Sequence, residues 1–215
     1  MSPATAGPTI SDLLDRIRAC RLCRDGPTGA PLPHEPRPVL RVSASARILV
    51  AGQAPGTRVH ASGLPFTDPS GDRLRRWMGI DAETFYDPAR VAIVPMGFCF
   101  PGLDAKGGDL PPRPECVRTW HDALFAALPP FDLVIALGLH AQRYHFARLG
   151  LPVPASVAEA VAGWRATALR TAGPIVFPLP HPSWRNNGWL SKNSWFEDDV
   201  VPALRSAVRN GLQAA

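Results

Sequence analysis

The chain has 215 residues, 46 % of them hydrophobic and 19 % charged, which suits one ordinary domain with a real core and excludes a disordered or acidic-tail protein. No apolar run reaches the roughly 18–20 residues of a membrane span, and Met1 to Ile10 lacks a basic stretch ahead of an apolar one, so no signal peptide is expected and the protein reads as a soluble, cytoplasmic monomer. The formal net charge is +5, and among 23 basic residues only Lys106 and Lys192 are lysines; this is either compositional bias or the mark of an anionic partner, since arginine grips phosphate bidentately.

Thr9 to Cys23 is predicted as a helix, with Ile10, Leu13, Leu14 and Ile17 at helical spacing and Ser11 and Asp12 available to cap it. A Pro-rich connection spans 25–46; Gly26 to Pro38 alone holds five prolines and two glycines. Four short runs are continuous in apolar residues: Arg47 to Gly52, Val91 to Gly97, Asp132 to Gly138 and Pro174 to Leu179. That is the pattern of parallel strands covered on both faces. Helical stretches are predicted at Gly71 to Met78, Pro114 to Leu128, Leu139 to Leu149 and Trp195 to Leu212. The alternation implies a single α/β domain over 1–215, with its N-terminal helix at 8–24. It is a three-layer α/β/α sandwich on a central, mainly parallel four-stranded sheet. Ligands of such sheets sit beyond the carboxyl ends of the strands, here after Gly52, Gly97, Gly138 and Leu179.

Three loops carry candidate chemistry. Gly52-Gln53-Ala54-Pro55-Gly56 follows the first strand; it is a tight turn able to aim backbone N–H groups at an anion or polar ring, and it lacks the GK[ST] ending of a phosphate loop. Gly63-Leu64-Pro65-Phe66-Thr67-Asp68-Pro69-Ser70-Gly71 is a rigid loop in which Phe66 is a core plug or a stacking platform, and Asp68 a helix-capping residue or a general base. Pro180-His181-Pro182-Ser183-Trp184-Arg185-Asn186-Asn187-Gly188 confines a histidine between two prolines, followed by an acid-free polar stretch suited to phosphate and sugar. Four cysteines divide as a CxxC pair, Cys20 and Cys23, then Cys99, then Cys116. Four thiolates suit an iron–sulfur cluster or structural zinc equally well.

In this order, GQAPG, GLPFTDPSG and LPHPSWRNNGWL resemble the uracil-DNA glycosylase superfamily, most closely its iron–sulfur-containing bacterial and archaeal families 4 and 5, over roughly residues 15–205. The resemblance implies hydrolysis of the N-glycosidic bond of a uracil flipped out of DNA. It implies a [4Fe–4S] cluster on Cys20, Cys23, Cys99 and Cys116, in place of zinc, because the spacing between Cys99 and Cys116 matches the family. It gives Gly52, Gln53 and Ala54 the lining of the base pocket, Phe66 the stacking surface, and His181 a hydrogen bond to uracil O2 that steadies the departing anion. Ser183, Trp184, Arg185, Asn186 and Asn187 then grip the strand and fill the gap left by the base.

Three positions depart from that pattern. The aspartate that follows the motif glutamine in the best-known family is Ala54, and Gln53 stands where the cluster-containing group often has glutamate. Gln53 can hold a water but not take its proton, so Asp68 is the expected water-activating or water-orienting group. The pyrimidine-reading asparagine of the second strand is Pro95, which predicts looser selectivity extending to hypoxanthine or xanthine. The alternative function is a uracil-DNA binder of the same fold with little or no turnover.

Overall fold

The computed structural model describes residues 9–213. Residues 1–8, where the helix at 8–24 is predicted to begin and no signal peptide is expected, and residues 214–215 lie outside the described residues. The strands are β1 (Ile48–Ala51), β2 (Val91–Ile93), β3 (Leu133–Leu137) and β4 (Ile175–Leu179). The helices up to the third strand are α1 (Ile10–Arg18), α2 (Leu22–Asp25), α3 (Thr57–Ser62), α4 (Pro69–Met78), α5 (Ala82–Tyr86), α6 (Pro114–Cys116) and α7 (Asp122–Ala127). After it come α8 (Gly138–Arg148), α9 (Val157–Ala162), α10 (Trp164–Ala168), α11 (Asn187–Lys192) and α12 (Val201–Gln213).

The strands form one parallel sheet in the order β2-β1-β3-β4, with Ile48 in register with Val91 on one side and Leu133 on the other. Alternate residues face opposite ways, as the two-residue period of a strand requires. Ile48, Val50, Ile135 and Phe177 pack with Leu74 and Trp77 of α4 and Leu204 and Val208 of α12. Leu49, Ala51, Val134 and Val176 pack with Leu13 and Ile17 of α1, Leu124 of α7 and Phe146 of α8. The expected three layers are therefore present, with a core on each side of the sheet.

Several boundaries differ from the sequence expectation, each for a local reason. Thr9, not Ser11, caps α1: its side chain accepts from the Asp12 N–H while Asp12 accepts from the Thr9 N–H, a reciprocal box. The predicted helix through Cys23 ends at Arg18 and resumes as α2. Strand β2 stops at Ile93, short of Gly97, and Pro95 has no N–H to extend a ladder. The Pro-rich connection covers the outer edge of β2, where Arg41 and Ile93 exchange both backbone hydrogen bonds at 2.9 and 2.7 Å. The predicted Pro114 to Leu128 helix contains a wider π turn at Val117–His121. There the His121 ring lies between two carbonyls, Nδ1 at 3.2 Å from Cys116 O and Nε2 at 3.1 Å from Pro95 O.

His145 of α8 is completely buried, and neither ring nitrogen has a hydrogen-bond partner among the described residues. Burial holds its pKa well below the ordinary histidine value, and Arg148 and His121 push the same way. The native pKa is thus depressed, so the unfolded chain takes up this proton first as pH falls. Its stabilising contribution is intact above the unfolded value, about 6.5, and drains away as pH drops from there toward the native value. The unfolding free energy measured in urea should lose up to about 1.4 kcal/mol per pH unit from this one proton. His145→Phe should reduce that acid slope, and an unchanged slope in the variant would contradict the assignment.

Candidate active site and cysteine cluster

The turn after β1, the loop before α4 and the strand end after β4 meet over the carboxyl edge of the sheet. Gly52, Ala54, Pro55, Phe66, Asp68, Pro95, Asp109 and His181 are among the residues lining one cavity there. Of the four predicted strand ends, β3 contributes no lining residue to it. That strand runs straight into α8 through Gly138, whose φ of 77° is left-handed and easy only for glycine.

Phe66 is built by strain and close approach. Its φ is 57°, the one positive value on a non-glycine residue among the described residues. Tyr86 Oη donates to its carbonyl at 2.9 Å and Arg75 Nη1 at 3.4 Å. The same carbonyl lies against Gly71 so tightly that a Cβ there would come within 1.9 Å of the oxygen. The ring lines the cavity, with its tip against Gly52 and its edge on Phe85 at 5.9 Å between centroids. Such outliers cost of order 1–3 kcal/mol and gather at functional sites.

Asp68 is the N-cap of α4. Its Oδ1 accepts from Ser70 N at 3.0 Å, from Gly71 N at 3.3 Å and from the Ser70 hydroxyl. Its Oδ2 takes part in no hydrogen bond among the described residues, and the carboxylate still borders the cavity.

His181 is oriented by its own loop. Ser183 N–H donates to Nδ1 at 3.3 Å, so Nδ1 carries a lone pair and the neutral ring carries its proton on Nε2. Asn186 Nδ2 donates to the His181 carbonyl at 2.7 Å. Burial lowers the His181 pKa, while the Asp68 and Asp109 carboxylates pull it up and Arg185 adds to the lowering. A neutral imidazole with one N–H to offer is the result.

The cavity opens into a larger groove lined by Gln53, Arg58, Arg73, Arg76, Ser183, Trp184, Arg185 and Asn186, among others. Trp184 is 73 % exposed, unusual for so large an apolar ring, and the Arg185 guanidinium lies 5.7 Å from its centroid. Arg73 donates to Ser183 O at 3.1 Å and Asn187 Oδ1 at 2.8 Å, which ties α4 to the histidine loop. Among the predicted strand-gripping residues, Ser183, Trp184, Arg185 and Asn186 line the groove and Asn187 does not, and the amides of Asn186 and Asn187 are engaged within the protein. Gln53 faces the groove and not the inner cavity, and its amide donates to Leu110 O at 3.2 Å. Asp109 escaped the sequence analysis because it belongs to no motif; only the folded loop after β2 brings it to the cavity.

All four cysteines are free, and Cys23, Cys99 and Cys116 are buried. The pairing of Cys116 with Cys23 lowers the Cys23 thiol against the opposing effect of burial, and the same pairing together with burial raises Cys116. Burial pushes Cys99 up to about 12, and it feels both Cys20 and Cys23. Two sulfurs receive N–H donors: Cys20 from Trp120 Nε1 at 3.3 Å and Cys116 from Phe98 N at 3.4 Å. Among the described residues no three His, Cys, Asp or Glu side chains are arranged around a single ion. Cys20 is half-buried, the other three cysteines are buried and two of the sulfurs have N–H donors; four thiols are the donor set that a four-thiolate cofactor uses.

Fold and site together define an open parallel α/β protein with a cavity at the carboxyl edge of its sheet beside an arginine-lined groove. Residues 41–205 match the family model of the uracil DNA glycosylase superfamily, and the chain belongs to that family.

The contact at Gly71 is open to test. Gly71→Ala should displace the Phe66 carbonyl and cost several kcal/mol as an overpacked backbone contact. Urea unfolding of the variant checks this; wild-type stability would contradict it.

Proposed function

We propose that the protein is a DNA glycosylase that hydrolyses the N-glycosidic bond of uracil flipped out of DNA and so starts base excision repair, as an iron–sulfur member of its superfamily akin to families 4 and 5. The observation that carries this is the convergence of Phe66, His181 and Asp68 on one cavity that opens onto an arginine-lined groove. A base within a duplex is out of reach of such a cavity, so it must enter flipped. Trp184, exposed at the groove, fills the gap, while Arg185, Arg58 and Arg76 take phosphates.

Inside, the base stacks on the Phe66 ring. His181 Nε2–H donates to uracil O2 and strengthens that bond as negative charge grows on the leaving base. A neutral donor serves here, and burial keeps the imidazole neutral. Asp68 orients the attacking water through Oδ2, the oxygen that the helix cap leaves free. Pro95 has no side-chain donor or acceptor, and its carbonyl lies 3.1 Å from His121 Nε2. The pyrimidine edge is therefore read without a side chain from β2, and selectivity extends to other deaminated bases.

Cys20, Cys23, Cys99 and Cys116 would hold a [4Fe–4S] cluster, which would supply a covalent tie between the N-terminal helices and the loop after β2. The sulfurs' N–H donors support this. Metal analysis of the purified protein should find iron and acid-labile sulfide with a brown colour that Cys116→Ser abolishes; zinc alone would contradict it.

Release of free base from oligonucleotides bearing uracil, hypoxanthine or xanthine tests the activity. Turnover of uracil is expected, and His181→Leu should lower it by about 10²–10³-fold. Tight binding with no base released would instead favour a uracil-DNA binder of the same fold.

A further inference from the structure

We propose that Asp109 is a second catalytic carboxylate of this site, the group that takes the proton of the attacking water. The proposal rests on the glycosylase activity proposed above. Asp109 borders both the inner cavity and the groove, so it stands at the mouth through which a flipped nucleotide enters. A methyl placed on Gly56 would lie 3.7 Å from its Oδ2, so the carboxylate rests against the turn after β1. It also lies close enough to His181 for its charge to act on the imidazole, together with Asp68. The two carboxylates and the histidine border one cavity.

They are not equivalent. Oδ1 of Asp68 is committed to three donors of the α4 cap, whereas neither oxygen of Asp109 accepts a hydrogen bond from another described residue. A carboxylate already accepting several hydrogen bonds is a poor proton acceptor, and a free one is a better base.

The loop around Asp109 is built to hold it. Asp104 Oδ1 accepts from Lys106 N and Gly108 N, both at 2.8 Å, and Leu103 bridges to Asp109 across the loop. Leu110 N donates to Gly102 O at 3.0 Å, and Leu110 O accepts from Gln53. Gln53 thus acts as a positioning residue: it fastens the residue next to Asp109 to the turn that lines the base pocket.

In the step, the water oxygen forms a bond to C1′ while the C1′–N1 bond breaks. The bonding pair leaves on uracil, whose O2 is held by His181, and the water proton passes to Asp109. The uracil anion then takes a proton from solvent, and Asp109 returns its own to solvent. Until the C1′–O bond closes, the sugar carries cationic character, which an anion at the cavity mouth stabilises. The same anion works against the phosphates in the groove, so removing its charge should not weaken DNA binding.

Single-turnover release of uracil by wild type, Asp109→Asn and Asp109→Glu tests this, together with affinity for DNA carrying a non-hydrolysable uracil nucleotide. Asp109→Asn should slow release by about 10²–10⁴-fold, with affinity unchanged or tighter. Asp109→Glu should restore part of the rate. Wild-type rates in Asp109→Asn, or a loss of rate matched by an equal loss of affinity, would overturn the role of Asp109. A wild-type protein that releases no base would overturn the glycosylase activity itself, which is a distinct result.

Discussion

The Phe66 carbonyl sits where a side chain of residue 71 would have to be, and much of the site hangs on that contact. With glycine at 71 the backbone of Phe66 can enter the left-handed region, at φ 57°, and turn its ring toward Gly52. The conformation costs of order 1–3 kcal/mol. The bonds from Tyr86 and Arg75 to the same carbonyl return about 0.5–1.5 kcal/mol each, so the strain is offset locally. Two residues further on, Asp68 caps α4. Ring and carboxylate are therefore set by one turn of chain, and neither can move without unwinding the start of that helix.

The histidine reaches the same rigid body from the far edge of the sheet. Arg73 extends from α4 to Ser183 O and the Asn187 side chain, and Asn186 closes back on the His181 carbonyl. Stacking surface, cap carboxylate and N–H donor are thus fixed relative to one another before any ligand arrives, which is the condition for electrostatic preorganisation. On the opposite side, the buried His121 ring lies between the Cys116 carbonyl and the Pro95 carbonyl at the cavity wall, so one side chain packs between the cysteine neighbourhood and the cavity.

The sheet was legible because each of its strands is buried on both faces and so is apolar without interruption, as in Leu133–Leu137. The short helices α3, α5, α9, α10 and α11 were not, since five or six residues are too few to display a helical period. Helix α4 begins at Pro69, two residues before the predicted Gly71, because the Asp68 cap and a first-turn proline start it. The π turn at Val117–His121 depends on two carbonyls far apart in sequence, and no local pattern carries that. In the site, Phe66, Asp68 and His181 were visible because each lies in a stiff Gly- and Pro-bounded loop. Asp109 was not: it lies among ordinary turn residues, and a hydrogen bond from a glutamine 56 positions earlier secures its neighbour. Asn186 and Asn187 were expected in a polar loop, but Asn187 opens α11 and both amides bond within the protein; whether an amide serves a ligand or the protein is decided only by what lies opposite.

The central claim is that a base leaves the DNA stack and lies on the Phe66 ring with its O2 edge toward His181. A crystal structure of the protein with DNA carrying a non-hydrolysable uracil nucleotide measures this directly. The predicted result is an extrahelical uracil stacked on Phe66, with O2 within hydrogen-bond distance of His181 Nε2 and Trp184 in the vacated gap. A uracil that remains stacked in the duplex, or one bound away from Phe66, would contradict it.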